Sequence, residues 1–498
     1  MITLNNYQDS DNLGFDGFGN EQDARELVKA MQAGQVTGRD TTDQLLTQEP
    51  LKAESLEKTL KLLEFRMKDI QLWNAMPKLP AYNTVEEFLQ LESYGTDRGG
   101  FYNEGELSDV EDSKYRRRAE LVKYIQVTGE VTYQAQLVRS YVDAMRKEVE
   151  NKTMWVIRKA NASMTKADSN IIPQEFNSLY KQHAAIGAGD ANLYTNLDAW
   201  QDSDVVIDLR GGSLTQSLIE DAAINVDANY GNVDKLFAPP TVISGLVKDF
   251  FKDQRILMGG TGYDGTIGTN PKAISTSFGD VSLHQDKFMK NDLPKRTSDS
   301  ATSLKAPNIP SALTAALSGA DGQSRFAAVS TTEIAQSIGA TWYGVSAVNR
   351  YGESAVKQIA AAVTTIAGQS VDLTVTDGGG AVPASGYVVY RGVVGGAAGD
   401  LMWPIFKVSA AELATGYDGG AAGKIRDRNR FIPNTESAFT TEMVDDVMSF
   451  KQLAPLSKLD LAILGMSRRF ITFMFGTPQL YTPKKMVRFI NVGPYVAA

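Results

Sequence analysis

Only two histidines, His183 and His284, and no cysteine occur in the 498 residues of this chain, against 59 carboxylates and 50 lysines and arginines. Thiol nucleophiles, disulfides and cysteine-ligated zinc are thereby excluded. The two histidines lie far apart in sequence, so an imidazole-dependent triad or metal site is thinly supplied, and neither a metal nor a cofactor is expected. What remains is charge chemistry. Its densest constellation is an acidic block, Glu104, Glu106, Asp109, Glu111 and Asp112, followed at once by the basic Lys114, Arg116, Arg117 and Arg118. Opposite blocks this close can pair across a hairpin or with a neighbouring subunit. The plainer reading is a solvated charged face, which contributes little to stability. Lys484 and Lys485, just after Pro483, are a second candidate contact point. The Gly-rich run at 259–270 lacks the Gly-Lys-Ser/Thr ending that brings a lysine to phosphates, so it reads as a surface loop.

The elements that must position these charges are unusually long. Two stretches, Leu79 to Leu91 and Tyr115 to Val127, flank the charged block and predict a two-stranded ribbon of roughly 40 Å at ~3.3 Å per residue. Such a ribbon is unstable alone in water and must lie on something. A long helix is expected from Thr132 to about Asn161, because Leu137, Tyr141, Met145 and Val149 recur every four residues. From Val205 onward strand and helix alternate. Ser213 with Gln216 predicts a capped helix burying Leu214, Leu218, Ile219 and Ala222. Pro239 and Pro240 predict a second helix, and a strand follows around Val281 to Leu283. Ahead of all this, polar residues 1 to about 20 read as an extended arm, with helices at 21–33 and 50–65.

Composition then changes. Residues 311–420 hold 13 Asp, Glu, Lys or Arg in 110 positions and 17 of the 43 glycines, which suits a small β-module rich in turns and poor in long charged side chains. The Pro/Ser-rich segment 291–310 is its linker, and a mixed pattern resumes at the far side. A decorating domain, about Ala306 to Phe431, is therefore threaded into a larger host. Within it, Tyr343, Val345, Ala347, Asn349, Gly352 and Ser354 spell a pattern that resembles the last hairpin of fibronectin type III and immunoglobulin-like domains. Val371 to Thr376 followed by Gly386 to Arg391 looks like an early strand pair of that family, in reversed order.

With the insert set aside, the order of arm, ribbon, long helix, α+β domain and C-terminal return resembles the major capsid protein of tailed bacteriophages, the Hong Kong ninety-seven fold. The specific similarity lies in the extended-loop-to-spine segment and in the tail, at Pro455, Leu459, Ala462, Phe470 and the run Thr482 to Val492. There a proline is expected to open an alternating strand carrying the two lysines. The resemblance implies an α+β fold with an N-terminal arm and helices (1–72), an extended loop (73–131), a peripheral domain with a spine helix (132–204), an axial domain (205–305), an inserted immunoglobulin-like domain (306–431) and a return through both host domains (432–498).

The function so implied is that of a major capsid protein, not an enzyme, assembling through pentamers and hexamers into an icosahedral virion head inside the host cytoplasm. Scaffold, portal and cement proteins are the partners that come with the family. The packaged double-stranded DNA would be a neighbour only by non-specific proximity. A formal charge of -9 argues against a dedicated nucleic-acid binder, since duplex affinity depends on neutralising phosphates with Lys and Arg. No membrane role is expected, because the first twenty residues lack basic and apolar signal regions and Arg468 and Arg469 break the most apolar segment. Some relatives join a lysine of the extended loop to an asparagine of the next subunit, but no motif marks Lys78, Lys114 or Lys123 for that chemistry. Two rivals remain at this stage. One is another virion component (tail tube, sheath or neck), disfavoured by the long helix. The other is an extracellular carbohydrate-active enzyme or adhesin, disfavoured by the missing export signal and the scatter of the five tryptophans.

Overall fold

The computed structural model describes residues 64–95, 101–107, 110–137, 143–184, 196–253, 272–327, 337–463 and 465–494. The described residues of 67–138 and of 144–498 form one compact unit. All elements named below belong to it. The N-terminal arm, the helix expected at 21–33, nearly all of the one at 50–65, the Gly-rich run 259–270 and Asp109 lie outside the described residues.

In chain order the host begins with α1 (Gln71–Ala75), β1 (Lys78–Pro80), β2 (Val85–Ser93), β3 (Lys114–Leu121), β4 (Lys123–Thr132) and the short α2 (Tyr133–Leu137). It continues with α3 (Ala144–Lys166), α4 (Leu179–His183), α5 (Leu197–Gln201), β5 (Val206–Asp208), α6 (Gln216–Asp227), β6 (Lys235–Ala238), α7 (Pro240–Asp253), β7 (Ala273–Thr276) and β8 (Gly279–Gln285). The insert supplies β9 (Ala312–Ala320), β10 (Gly339–Thr341), β11 (Tyr343–Asn349), β12 (Gly352–Glu353), β13 (Lys357–Gln358), β14 (Val363–Thr365), β15 (Gln369–Thr376), β16 (Gly386–Arg391), β17 (Trp403–Ser409), α8 (Ala410–Thr415) and β18 (Lys424–Asp427). The host then resumes with β19 (Glu436–Thr441), β20 (Met448–Asp460), β21 (Ser467–Leu480) and β22 (Met486–Val492).

Besides the two-stranded β2-β3 ribbon, two larger host sheets result among the described residues. One has the order β5-β22-β19-β6-β8-β7 and the other β1-β20-β21-β4. The first sheet is covered by α6 and α7, and its core joins Ile219, Ala222, Val226, Leu236, Val242, Leu246, Val487 and Phe489. Because β22 runs through its interior, six of its seven residues are buried on both faces, so the expected alternation is absent. Pro483 to Lys485 form a 3-10 turn and the strand starts only at Met486. The cap of α6 is Thr215, whose hydroxyl accepts from the Leu218 amide at 3.5 Å, two residues beyond the expected Ser213.

The second sheet lies against α3 and α4. The helix expected from Thr132 begins one residue later, at Tyr133 in α2, because β4 takes residues through Thr132 as an edge partner of β21, in register from Lys123↔Gly476 to Thr132↔Ser467; residues 138–142 lie outside the described residues. The main helix is α3, which runs on past Asn161 to Lys166 and buries Val156, Ile157, Ala160 and Met164 in its C-terminal half. Of the expected stripe, Tyr141 lies outside the described residues, Leu137 is exposed, and Met145 and Val149 are only half-buried.

The insert is a two-layer β-sandwich. Sheet β12-β11-β16-β17, with β13 also on β11, faces sheet β18-β15-β9, and Val345, Val371, Leu373, Val389, Val408 and Ile425 share one core. β16 is buried along its whole length. It pairs with β11 and β17 and not with β15. Val371 to Thr376 and Gly386 to Arg391 thus belong to opposite layers, which corrects the strand pair expected from the sequence. The hairpin from Tyr343 to Glu353 is present, with Val348↔Glu353 and Asn349↔Gly352 paired.

Candidate assembly surface

The ribbon is shorter than its sequence suggests, because β4 leaves it for the β21 edge. β2 and β3 pair antiparallel from Val85↔Leu121 to Ser93↔Lys114. Its base is fastened to the end of β21. Phe88 meets Tyr481 edge-on at 4.9 Å, Gln90 donates to the Tyr481 carbonyl, and Gln479 donates to the Glu86 carbonyl at 3.5 Å. On the opposite face of the ribbon and toward its tip the apolar side chains are open to solvent. Leu89 is 73% exposed and Tyr115 69%, and Tyr94, Phe101, Leu107 and Val110 are more open still.

Two of the arginines reach across the ribbon to the facing strand. Arg117 pairs with Glu87 and Arg116 with Glu92 at 3.4 Å, both acids lying on the facing strand β2. Sequence reasoning missed these two glutamates; the signal was the strand register, which places residue 117 opposite 89 and 116 opposite 90. Arg118 has partners of its own. Glu106 accepts from the Asn103 amide at 2.9 Å, closing a tight local turn. Glu104 and Asp112 make no ion pair among the described residues, and Asp109 is not described. At the far end of the chain Lys485 pairs with Glu442 at 3.4 Å, and Lys484 is half-buried beside it in the same turn.

A second polar cluster, unforeseen in the sequence, joins insert to host. The run Arg426 to Arg430 alternates cation and anion or amide. Arg391 and Asp427 pair at 2.7 Å with side chains only 4% and 1% exposed, and the Tyr343 hydroxyl donates to the same carboxylate at 2.8 Å. Arg430 holds Asp418 at 2.8 Å within the insert and Asp198 at 2.5 Å in the host. Arg325 reaches host Asp202 at 2.5 Å. Entry and exit of the insert are tied together, since the Asn291 amide donates to Glu436 at 2.7 Å.

His183 serves packing. One ring nitrogen meets the Met486 carbonyl at 2.8 Å and the other accepts from the Trp200 indole at 3.1 Å. Burial pushes its pKa down to about 3, with nearby Arg488 adding to the shift. Among the described residues no group of three or more His, Asp or Glu side chains is placed to hold a metal ion, and no helix is long and apolar enough to cross a membrane.

No protein-family model matches the chain. The sequence is 24% identical over 478 residues to the "Putative major capsid protein" of Enterococcus phage phiEF24C, covering 95% of both chains. It is 21% identical over 474 residues to the major capsid proteins of Staphylococcus phages S25-3 and K, covering 95% of this chain and 96% of theirs. The chain belongs with the major capsid proteins of tailed phages. This capsid subunit is a structural component of the virion's icosahedral head and not an enzyme, and it works as a homo-oligomer. Its mixed α and β architecture accords with the Hong Kong ninety-seven capsid fold of that family. Among solved structures it is similar to the capsid of a native GTA particle (TM-score 0.44, 8% identity, 90% of this chain and 98% of that one). It is also similar to the SrpI encapsulin of Synechococcus elongatus PCC 7942 (TM-score 0.41, 9% identity, 93% and 99%).

Proposed function

We propose that the subunit closes the head through rings of five and six, with the β2–β3 ribbon as the extended loop that lies on the next subunit in the ring. The observation that carries this reading is the ribbon itself: one face is fastened at Tyr481 through Phe88 and Gln90, while Leu89 and Tyr115 on the other face stand open to solvent. Isolated ribbons are marginal in water, and contiguous exposed apolar surface marks an interaction site. Head-to-tail contacts of this kind generate closed rings.

In the same reading the β1-β20-β21-β4 sheet with α3 is the peripheral domain and α3 its spine. The β5-β22-β19-β6-β8-β7 sheet is the axial domain, and the sandwich at 306–431 is an immunoglobulin-like decoration on the outer face. The tied entry and exit at Asn291 and Glu436 support an insertion at one point of the host. Glu104, Glu106, Asp109, Asp112 and Arg116 to Arg118 are then neighbour-facing groups, while Lys484 and Lys485 sit near the subunit's own Glu442. Scaffold, portal and cement proteins would meet the assembled shell, and DNA would lie near it without specific contact.

The test is deletion of residues 104–112 followed by electron microscopy of the expressed protein. A folded subunit that no longer gives rings or shells is the expected result. Normal particles would remove the ribbon from this role.

A further inference from the structure

Arg488 stands in a position that the fold alone does not account for. It lies on β22, inside the six-stranded sheet, and its guanidinium rests over the Tyr180 ring at 3.9 Å and near the Trp200 ring at 5.5 Å. Among the described residues its side chain has no hydrogen bond or ion pair, and its Nε is buried without a partner. Every other deeply placed arginine at the insert junction has a carboxylate: Arg391 has Asp427, Arg428 has Asp321, and Arg430 has Asp418. The difference shows in acidity. Arg430 is raised by Asp198 and Asp418 despite burial, whereas burial brings Arg488 down to about 10 with only the Tyr180 ring offsetting it.

Arg488 lines a cleft of about 150 Å³ between host and insert, walled also by Lys166, Tyr180, Asn291, Asp292 and Lys407. Lys166 and Lys407 already share Asp292, at 3.2 and 3.0 Å, and Glu436 accepts from the Asn291 amide within electrostatic reach of Lys166 and Tyr180, so with Arg488 these five groups carry one net positive charge. The Tyr180 hydroxyl is likewise buried without a partner. An unpaired guanidinium offers two parallel N–H donors that match a carboxylate, and a cleft this size admits such a group on a short stem. A duplex phosphate backbone would not enter it.

We propose that this cleft receives a carboxylate side chain from a second copy of the chain, with Arg488 as the recognising cation and the ribbon-tip acids Glu104, Glu106 and Asp112 as the donors. The choice of donor rests on the reading of the ribbon as a neighbour-reaching loop. It is argued from charge: Glu104 and Asp112 have no ion pair among the described residues, and the arginines beside them in sequence are engaged with Glu87 and Glu92.

The experiment has two arms. In the first, the melting temperature of the free full-length subunit is read in acetate, phosphate or chloride at equal ionic strength, for the wild type and for Arg488→Met, which keeps contact with both rings. Acetate should raise the wild type by roughly 2 °C and leave the variant unmoved. No acetate effect, or stabilisation by phosphate alone, overturns a carboxylate site. In the second arm, assembly yield is compared for Arg488→Met, for the triple variant Glu104→Gln, Glu106→Gln, Asp112→Asn, and for both together. Each should lower yield several-fold, and the combination should lose no more than either alone. Additive losses overturn the ribbon as donor even if the acetate effect holds. A fall in the free subunit's melting temperature for Arg488→Met equal to its assembly defect would show Arg488 to be a packing residue and overturn the site. Normal particles from the ribbon deletion described above would overturn both the wider reading and the ribbon as donor, whereas additive losses beside a deletion that blocks assembly would overturn the ribbon acids alone.

Discussion

At the scale of single residues, burial dictates the behaviour of the ionisable groups. His183 is neutral in the fold because both ring nitrogens are committed inside the core. Its folded pKa is lowered to about 3 against about 6.5 when unfolded, so the unfolded chain binds the extra proton below pH ~6.5. Stability contributed by this residue therefore falls as the pH drops through that window, by about 1.4 kcal/mol per unit at most. His183→Gln should unfold more easily at pH 7 but show a shallower loss between pH 6 and 4, as read by denaturant unfolding at stepped pH. Arg391 and Asp427 make the opposite case, a charge pair kept inside the sandwich. Removing one partner strands the other, so Asp427→Asn should cost about 3–5 kcal/mol in the sandwich transition followed by tryptophan fluorescence. An unchanged midpoint would mean that Tyr343 and Asn429 suffice to hold Arg391.

At the scale of elements, the sequence is a good guide where a strand or helix answers only to itself and a poor one where a distant segment competes. The sandwich, the α7 start at Pro240 and the Tyr343 hairpin were legible from turn residues and periodicity. The long helix was legible over 133–137 and 144–161, but its first residue was not, because β21 lies more than 300 positions away and claims residues through 132 as a strand. The same distance hid the ends of the ribbon, and it hid Glu87 and Glu92, whose partnership with Arg117 and Arg116 follows from register. The junction carboxylates were equally unreadable: Asp198 and Asp202 have no local signature and gain meaning only from Arg430 and Arg325. Excision of 306–431 should consequently spare the host fold but weaken it, since Asp198 and Asp202 lose their cations. A melting point lowered by a few degrees, with a cooperative transition kept, is expected from calorimetry. Complete unfolding would mean that the insert is no independent module.

At the scale of the whole molecule, the charged ribbon should matter more between subunits than within one. Exposed pairs such as Arg117 with Glu87 are worth ~0.2–1 kcal/mol and are screened at moderate salt. Arg117→Glu should leave the free subunit's melting temperature nearly unchanged, raise the concentration needed for assembly in light scattering, and reduce the salt sensitivity of that threshold. Equal effects on folding and assembly would return the ribbon charges to a solvated face.

Both larger host sheets are built around strands from the end of the chain. β20 and β21 form the middle of one, and β22 and β19 lie inside the other. On the ribosome, then, the sandwich can fold as soon as it emerges, while the host halves on its N-terminal side wait with open sheet edges for the final strands. A prematurely stopped chain would present a finished sandwich on a host that lacks the central strands of both its larger sheets, a copy without the surfaces that assembly needs.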